Sequence, residues 1–453
     1  MMKFEDAFLR SCESHAVEST PRGGSVQGRA RGRPTSTMDP VALLRDASFL
    51  VRRSSRFAAG SRVEVFHRSS TRIRVSVEPP DLRPRAFEAR EEGVAVRLDL
   101  DDERMAFAAS SGGGRPAVEQ AVALALRAAP LPRPRGGLWA EGARTSRVDL
   151  ERSEALPTRD ELESWLSRAI ASLTGPRGGK GRALGPAWVE AGFTVETLAA
   201  DNGLTALRSR RRVWAMAIVR RARGGPVPER PWVAAARSLT ALPEEGWEWL
   251  LDRESQLAAG RGRGTDRGLA VTGEAAAALV ASLAMAMHGP HGPRGGGVGR
   301  AWRLRDEPRW PGGLAGGLFD DAGFPTRKLV LADGSAVVGH LGTRGHFCRP
   351  SFRDHPTPMF TTLVVEDGHD PLPSRGLIAD ALRIHRLEPD RWVLELEGIP
   401  LDRGAPSGAA TLFRLTAGPR DLVARCVRAT GPARPHANGV VTPTLVFEGL
   451  RLG

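Results

Sequence analysis

The segment of the chain that is richest in chemically active side chains runs from 339 to 356 and reads GHLGTRGHFCRPSFRDHP. It contains His340, His346, Cys348 and His355. Imidazole and thiolate groups bind zinc, and a cysteine with a histidine base can act as a nucleophile. A structural zinc site usually has closely paired ligands such as C-x2-C, and this segment has none. We therefore expect a loop with one buried cysteine, and keep His346, Cys348 and His355 as the alternative, a metal-dependent or Cys-dependent hydrolytic site.

Other catalytic patterns are missing or incomplete. No histidine is followed by glutamate, so the H-E-x-x-H motif of zinc proteases is absent from the sequence. His288 and His291 are three residues apart, but Pro290 lies between them in a Gly/Pro-rich stretch, and we expect no metal there. The segment 175–181 (GPRGGKG) lacks the first glycine and the Ser or Thr of a phosphate-binding P-loop, which favours an ordinary loop.

The charge of the chain is strongly basic, with a formal net charge of +13, and only three of its 65 basic residues are lysine. The sequence is also rich in Gly, Ala and Pro and has no tyrosine, which is typical of a compositional bias. The arginines are scattered rather than gathered in one tract. The densest run, RSRRR at 208–212, is expected at an exposed turn between strands. A nucleic-acid-associated protein is therefore an alternative that rests on charge alone, and we do not expect it.

Cysteine usage and apolar runs indicate the compartment. Cys12, Cys348 and Cys426 do not form a disulfide framework, which is typical of the reducing cytoplasm. The longest apolar run, 275–287, is shorter than the roughly 20 residues that cross a bilayer. No charged-then-apolar leader opens the chain. We predict a cytoplasmic protein with no membrane partner.

Composition divides the 453 residues into an extension and two domains of an α+β protein. Residues 1–37 are poor in apolar side chains and are predicted to be disordered, and Met38 is an alternative start. Gly and Pro at 224–228 predict a domain boundary. An α/β domain with hairpins and helices is expected at 38–225, and a mainly antiparallel β domain at 226–453.

Apolar periodicity and capping residues predict the elements of the first domain. Asp39 and Pro40 predict the start of one helix, and Thr158 and Glu161 have the spacing of a capping box ahead of another. The other elements expected are a hairpin at 63–66 and 73–77 with a turn at 67–70, a hairpin at 94–100 and 105–109, a helix opening at Pro116, and strands within 188–219 on either side of a turn at 201–203.

The second domain is expected to contain a helix at 274–287 and then short strands. Asp333 and Gly334 predict a two-residue type I′ hairpin between strands at 328–332 and 336–341. The other elements expected are strands at 363–365, 392–396, 411–415 and 444–447, and a short helix at 421–428.

The run EEGVAVRLDLDDERMAFAASSGG at 91–113, followed by a helix rich in Val and Ala, resembles a signature of the TldD/PmbA family. That family is also known as peptidase U62, and its members as modulators of DNA gyrase. Its signature reads as an E-x-G-V-x-V-R strand, a turn, a G-F-A-x-T/S strand and a helix. Arg97 and Phe107 match, whereas Met105 and Ala106 depart from the usual Gly before Phe.

The second half carries further segments of the same resemblance. The run at 317–337 is similar to the family's F-D-x-E-G-x-x-T segment and hairpin, with Ala322 in place of the usual Glu. The run at 342–368 is similar to its S-T-G-(N/H) stretch, and VVTPTLVFEGLRLG resembles its C-terminus. The matching positions of these segments are Phe319, Asp320, Gly323, Thr326, Gly345 and His346.

The resemblance implies an N-terminal α/β domain that helps to form the family's assembly around a sheltered cavity, and the 91–113 hairpin has an architectural role in that domain. The family's TldD type carries H-E-x-x-x-H and a zinc ion and cleaves peptides, whereas its PmbA (TldE) type lacks the motif and pairs with the first. The flanking pattern places the motif at 279–291, where this chain reads LVASLAMAMHGPH. We therefore expect a PmbA/TldE-like subunit with no catalytic residue and no metal or cofactor of its own. It would form a heterodimer with a zinc-bearing TldD-like catalytic subunit and act on small peptides or unfolded proteins.

Overall fold

The computed structural model describes residues 39–53, 62–79, 81, 83–100, 104–128, 130–132, 146–151, 155–174, 182–221, 230–242, 257–261, 268–289, 292, 296–314, 316–341, 346–388, 390–407 and 410–452. Two large sheets and the helices packed on them form an α+β fold, as the sequence predicts. Several sequence predictions fall outside these residues: those for the extension 1–37, Met38, the turn at 101–103, the segment 175–181, the boundary at 224–228, His291 and Gly345.

The N-terminal sheet has eight strands in the described residues: β1 (Val63–Val77), β2 (Arg85–Asp99), β3 (Arg104–Ser111), β4 (Leu131–Pro132), β5 (Ser146–Leu150), β6 (Arg182–Ala200), β7 (Thr205–Arg221) and β8 (Arg230–Ala236). Their order is β4-β3-β2-β1-β6-β7-β5, with β8 also paired to β7. All pairs are antiparallel except that of β5 with β7. Because β8 belongs to this sheet, the sheet continues past the predicted boundary at 225.

Three helices cover one face of this sheet: α1 (Pro40–Arg52), α2 (Gly114–Arg127) and α3 (Arg159–Thr174). Asp39 accepts a hydrogen bond from the Val41 amide (3.0 Å) and caps α1. Ahead of α3, the Thr158 amide donates to Glu161 (2.6 Å) and the Glu161 amide donates to the Thr158 hydroxyl (3.3 Å), which is a capping box. The helix starts predicted from these residues are confirmed.

Strand β1 differs from the sequence prediction, because the turn expected at 67–70 is wrong. The strand is continuous and pairs with β2 on one side and β6 on the other along its length. The polar side chains at the centre are buried with partners or neighbours rather than turned to solvent: His67 lies 2.9 Å from Glu92, and Ser69 and Ser70 are buried. The hairpin predicted at 94–100 and 105–109 is confirmed as β2 and β3.

The C-terminal domain contains fourteen strands in the described residues: β9 (Leu257–Arg261), β10 (Gly268–Val271), β11 (Arg303–Asp306), β12 (Leu329–Asp333), β13 (His346–Cys348), β14 (Thr357–Met359), β15 (Leu363–Val365), β16 (Gly368–His369), β17 (Arg375–Leu387), β18 (Trp392–Asp402), β19 (Ala405–Pro406), β20 (Ala410–Ala417), β21 (Cys426–Pro435) and β22 (Val440–Phe447). Strands β13 and β14 form a separate hairpin, and the other twelve form one mainly antiparallel sheet. Helix α4 (Gly273–His288) packs on β17 and β22 in the core of this domain, beside the short helix α5 (Pro419–Ala424).

Two predictions for this domain need correction. The turn after β12 has Gly334 and Ser335 at its centre, since the Asp333 amide donates to the carbonyl of Ala336. Only Gly334 has a positive φ (86°), so the turn is not of type I′, which needs two such residues. Beyond it, Ala336 and Val337 form only isolated bridges instead of a strand.

The helix expected at 421–428 is also shorter and lies earlier. It ends at Ala424, and β21 begins at Cys426 because that side chain is fully buried where it pairs with Phe447. The strands predicted at 363–365, 392–396, 411–415 and 444–447 are confirmed within β15, β18, β20 and β22. In the part of the chain that is described, no helix is long and apolar enough to span a membrane.

Candidate functional site

Helix α4 occupies the place where the sequence resemblance puts the zinc-binding motif. Between Glu274 and His288 it contains only Ala, Leu, Val, Met and Ser. Most of these side chains are buried in the C-terminal core, including Leu279, Leu283 and Met287. Between Glu274 in its first turn and His288 at its end, the helix packs on its neighbours and presents no carboxylate and no imidazole.

His288, the last residue of α4, already uses both ring nitrogens. Its Nδ1 donates to the carbonyl of Gly339 (3.1 Å), and its Nε2 accepts from the indole N–H of Trp302 (3.3 Å). Burial lowers the pKa of His288 to about 4, so the ring is neutral at pH 7. Because the lone pair on Nε2 accepts a hydrogen bond, His288 has no nitrogen free to bind zinc. Its contacts are those of a buried structural residue.

His346 is buried and engaged in the same way by other partners. Its Nδ1 lies 2.8 Å from Asp306 Oδ2, and its Nε2 accepts from the Arg327 amide (3.3 Å). Asp306 is fully buried and also accepts from the amide and hydroxyl of Thr361 (3.0 and 2.8 Å) and from the Thr362 amide (2.9 Å). These contacts tie the start of β13 to the end of β11 and the loop before β15.

The structure does not bring His346, Cys348 and His355 together as a catalytic group. Cys348 has one weak contact, from Sγ to the carbonyl of Phe360 (4.0 Å), and burial raises its thiol pKa well above the usual value. The ring of His355 packs edge-on against Phe107, with 5.6 Å between centroids. Among the described residues, no group of three or more His, Cys, Asp or Glu side chains is placed to hold a metal ion.

His355 is also a poor base. Its burial and the guanidinium groups of Arg97 and Arg349 lower its pKa to about 3, because both disfavour the imidazolium form. A nucleophilic cysteine requires a thiolate and a nearby base. In this segment the thiol stays protonated at pH 7, and neither His346 nor His355 has a hydrogen bond to Cys348 in the described structure.

A network of buried charged side chains joins the two domains; we call it the interdomain charge network, and its members are Glu64, Arg97, Glu196, Arg208, Asp321 and Arg349. Glu64 accepts from both Arg97 (2.5 Å) and Arg349 (2.6 Å). Asp321 accepts from the Arg349 amide (2.5 Å) and from the guanidinium of Arg208. The network therefore links β1, β2 and β7 to the segments around 321 and 349.

Glu196 completes this network on β6. It accepts from Arg208 Nε at 2.8 Å and from a second nitrogen of the same guanidinium. Burial by itself would raise the pKa of Glu196, but Arg208, Arg68 and Arg210 outweigh that effect and lower it to about 2. Arg208 also contacts Phe319 of the second domain, through the carbonyl (3.2 Å) and the ring.

The residues that match the family motif lie at this junction. Arg97 belongs to the charge network, and Phe107 and Phe319 belong to an apolar cluster between the domains. Gly323 has φ of 82°, and an added Cβ would lie 2.5 Å from Leu204, so a side chain there would disrupt the junction. The Thr326 hydroxyl donates to the Gly317 carbonyl and closes the loop. The motif residues that the structure describes therefore have structural roles at the domain junction.

Asp320 organises the same loop from inside. Its carboxylate accepts from the amides of Ala322 (3.0 Å), Phe324 (2.9 Å) and Phe347 (3.1 Å). Burial raises its pKa to about 6 although these three donors favour the ionised form. No solvent-exposed reactive group results, because every oxygen of Asp320 is used to hold the backbone.

The basic run at 208–212 lies inside β7, so the exposed turn predicted there is wrong. Arg208 and Arg211 are buried, and Arg210 lies on the same face of the strand as Arg208. Beside it is an open pocket of about 360 Å³, lined by residues of β5 and β7, by Arg237 and by residues within 308–312 and 316–318.

The two domains define a class of fold, an N-terminal sheet covered by helices and joined through buried charges to a β domain built on one buried helix. That fold is similar to the crystal structure of TldE from Thermococcus kodakarensis, with a TM-score of 0.74 and 19% identity over 91% of this chain and 99% of that chain. No family sequence model and no curated protein sequence matches the chain.

Two further crystal structures, of candidate modulators of DNA gyrase, share the fold. For the protein from Thermotoga maritima the TM-score is 0.70 at 14% identity, over 90% of this chain and 99% of that chain. For the protein from Bacteroides thetaiotaomicron it is 0.71 at 14% identity, over 90% and 98%. At these identities the similarity establishes the fold. The shared fold confirms the resemblance to the TldD/PmbA family that the sequence motifs indicated.

The sequence prediction missed the partners of the motif residues. Asp306, Glu64 and Arg349 lie far in sequence from the residues that they contact. One signal was available for Glu196 and Arg208, since each lies at an inward position of an alternating strand. A charged residue at such a position indicates a buried ion pair.

Proposed function

We propose that this chain is a non-catalytic, PmbA/TldE-like subunit of a heteromeric zinc metallopeptidase that acts on small peptides or unfolded proteins. The observation that carries the proposal is the composition of α4 at the place expected for H-E-x-x-x-H. A zinc peptidase needs about three protein ligands, an open coordination position and a base. Between Glu274 and His288, helix α4 offers no ligand and no base, and the ring nitrogens of His288 are engaged.

The likeness in fold to TldE supports the same proposal, because TldE is the family's name for the type without the motif. In the proposed complex, zinc and the catalytic base belong to a TldD-like partner in a cytoplasmic heterodimer. This chain would form part of the wall of the shared cavity and present the substrate.

Metal analysis of the purified chain separates this proposal from the rebuilt hydrolase. The proposal expects no stoichiometric zinc in the isolated protein after exposure to zinc and gel filtration. One zinc per chain that is lost in Cys348→Ser and in His346→Ala would instead assign a metal site to that segment. His288→Gln serves as the control, since His288 lies outside the segment and its two hydrogen bonds can be kept by an amide.

A further inference from the structure

We propose that the pocket beside Arg210 binds the free carboxylate of a short peptide. This inference goes beyond the partner role, because the pocket is built from this chain alone and binding is measured on the isolated protein. We define the Arg210 pocket by Arg210, Asp149, Glu151, Arg237, Arg309 and Trp310.

The pocket exists because two strands share one edge of β7. Strand β5 pairs with β7 up to Ser209, and β8 pairs with β7 from Val213 onwards. Residues 210–212 therefore have no neighbouring strand on that edge among the described residues. Residues 308–312 and 316–318 of the second domain lie beside this gap, and the Leu318 amide donates to Asp149 (2.7 Å).

Among the arginines that line this pocket in the described part of the chain, Arg210 is the one with no hydrogen bond or ion pair to the protein. Arg237 is held by Glu151 (2.8 Å) and by the carbonyl of Gly313, and Arg309 donates to the carbonyl of Thr326 (3.4 Å). Arg210 has neither a hydrogen bond nor an ion pair in the described structure, and its Nε is buried. Buried donors are nearly always satisfied, so this guanidinium is expected to meet a ligand.

The electrostatic surroundings favour an anion at this point. Burial and the neighbouring charge of Arg208 lower the pKa of Arg210, and the opposing charges of Glu196 and Asp321 compensate this only in part. Arg212 lies two residues further along β7, on the same face as Arg210. Burial and the charges of Arg210 and Arg68 lower the pKa of Arg212 to about 9. Positive charges that lie close together without enough negative charge nearby repel one another. An anion bound in the pocket beside these arginines reduces that repulsion.

The other walls favour a peptide over a nucleic acid. Asp149 and Glu151 repel a polyanionic phosphate backbone more strongly than a single carboxylate, and they attract the amino group of a peptide. Trp310 adds an aromatic wall, with Arg305 over its ring (5.7 Å between guanidinium carbon and ring centroid). A guanidinium fork matches a carboxylate in bidentate geometry, and a volume of about 360 Å³ is within the range of small-ligand pockets.

Isothermal titration calorimetry with alanyl-alanine tests the inference. We expect the dipeptide to bind the full-length protein, and its C-terminal amide to bind about tenfold more weakly, since the amide removes the charge that Arg210 recognises. Arg210→Gln should weaken dipeptide binding by about tenfold as well. Arg414→Gln, a change at an exposed strand arginine of the other domain, should leave it unchanged.

Arg210→Lys keeps the positive charge but not the two parallel N–H donors of the guanidinium. It tests the inference if Arg210→Gln does not fold. The inference expects weaker dipeptide binding by the Lys variant and a smaller difference between dipeptide and amide. No binding by the wild type, equal binding of dipeptide and amide, or preferred binding of inorganic phosphate would overturn it. Each of these results would leave the proposed partner role standing, because that role rests on α4.

Discussion

His288 and Trp302 form a polar contact in an otherwise apolar core, where the histidine is neutral and uses both ring nitrogens. His346 is tied to Asp306 and to a backbone amide in the same manner. At the scale of single residues, both nitrogens of His288 and of His346 are therefore occupied by structural hydrogen bonds.

The buried His288 should give the protein an acid-sensitive stability. Its pKa is about 4 in the folded protein and 6.5 when exposed, so the unfolded chain binds the extra proton between these values. The stabilisation is present above pH 6.5 and is lost as the pH falls towards 4, by about 3 kcal/mol. Urea unfolding of wild type and His288→Gln across this window measures the difference.

The Gln variant should lose less stability on acidification than the wild type, because glutamine does not titrate and can keep both hydrogen bonds. His385→Gln, at an exposed position of β17, is the matched control and should follow the wild type. Parallel pH profiles for wild type and His288→Gln would contradict this account of His288.

Arg208 is the member of the interdomain charge network whose loss should cost most. Arg208→Met would remove the hydrogen-bonded counter-ion of the buried Glu196 and Asp321, and we expect a loss of about 3–5 kcal/mol in the free energy of unfolding. Arg414→Met, at an exposed site, should change it by less than about 0.5 kcal/mol. If denaturant midpoints showed a similar small effect for both variants, the network would not stabilise the domain junction.

At the scale of elements, the turn after β12 depends on Gly334. Its φ is 86°, and an added Cβ would lie 2.6 Å from the carbonyl oxygen of Arg300. Gly334→Val should therefore destabilise the C-terminal domain by about 1–3 kcal/mol, through backbone strain and this clash. Thermal unfolding followed by circular dichroism measures the loss.

Gly297→Ala provides the control for that turn. Gly297 is bridged to Ala336 in the same region, but its φ is not positive and an added Cβ would meet nothing closer than 3.9 Å. We expect its unfolding midpoint to stay near that of the wild type. An equal fall in both variants would mean that the region is sensitive to any side chain rather than to strain at Gly334.

Local signals predicted many of the elements. Asp39 and the Thr158–Glu161 pair marked helix starts because capping depends on neighbours in sequence. The polar residues at 67–70 misled the prediction because their partner Glu92 lies on another strand. The helix at 421–428 was misplaced because Cys426 belongs to β21, where it pairs with Phe447 of β22. Such a contact between distant segments is not visible in the periodicity of the sequence.

At the scale of the whole molecule, the candidate site was predictable only in part. The motif resemblance selected Asp320 and His346, and both lie near the domain junction. Their roles depend on long-range partners such as Asp306, and the link between Glu64 and Arg349 spans most of the chain. The Arg210 pocket was not predicted, because it arises from the way β5 and β8 share one strand edge.

The whole-molecule account rests on the claim that peptide cleavage requires a second, zinc-bearing chain. The most direct test is a peptidase assay of the purified chain, alone and mixed with a related chain that carries H-E-x-x-x-H, on one unfolded peptide with and without a zinc chelator. We expect no cleavage by this chain alone, and chelator-sensitive cleavage by the mixture that exceeds that of the relative by itself. Chelator-sensitive cleavage by the chain on its own would contradict the claim, as would a mixture that is no more active than the relative.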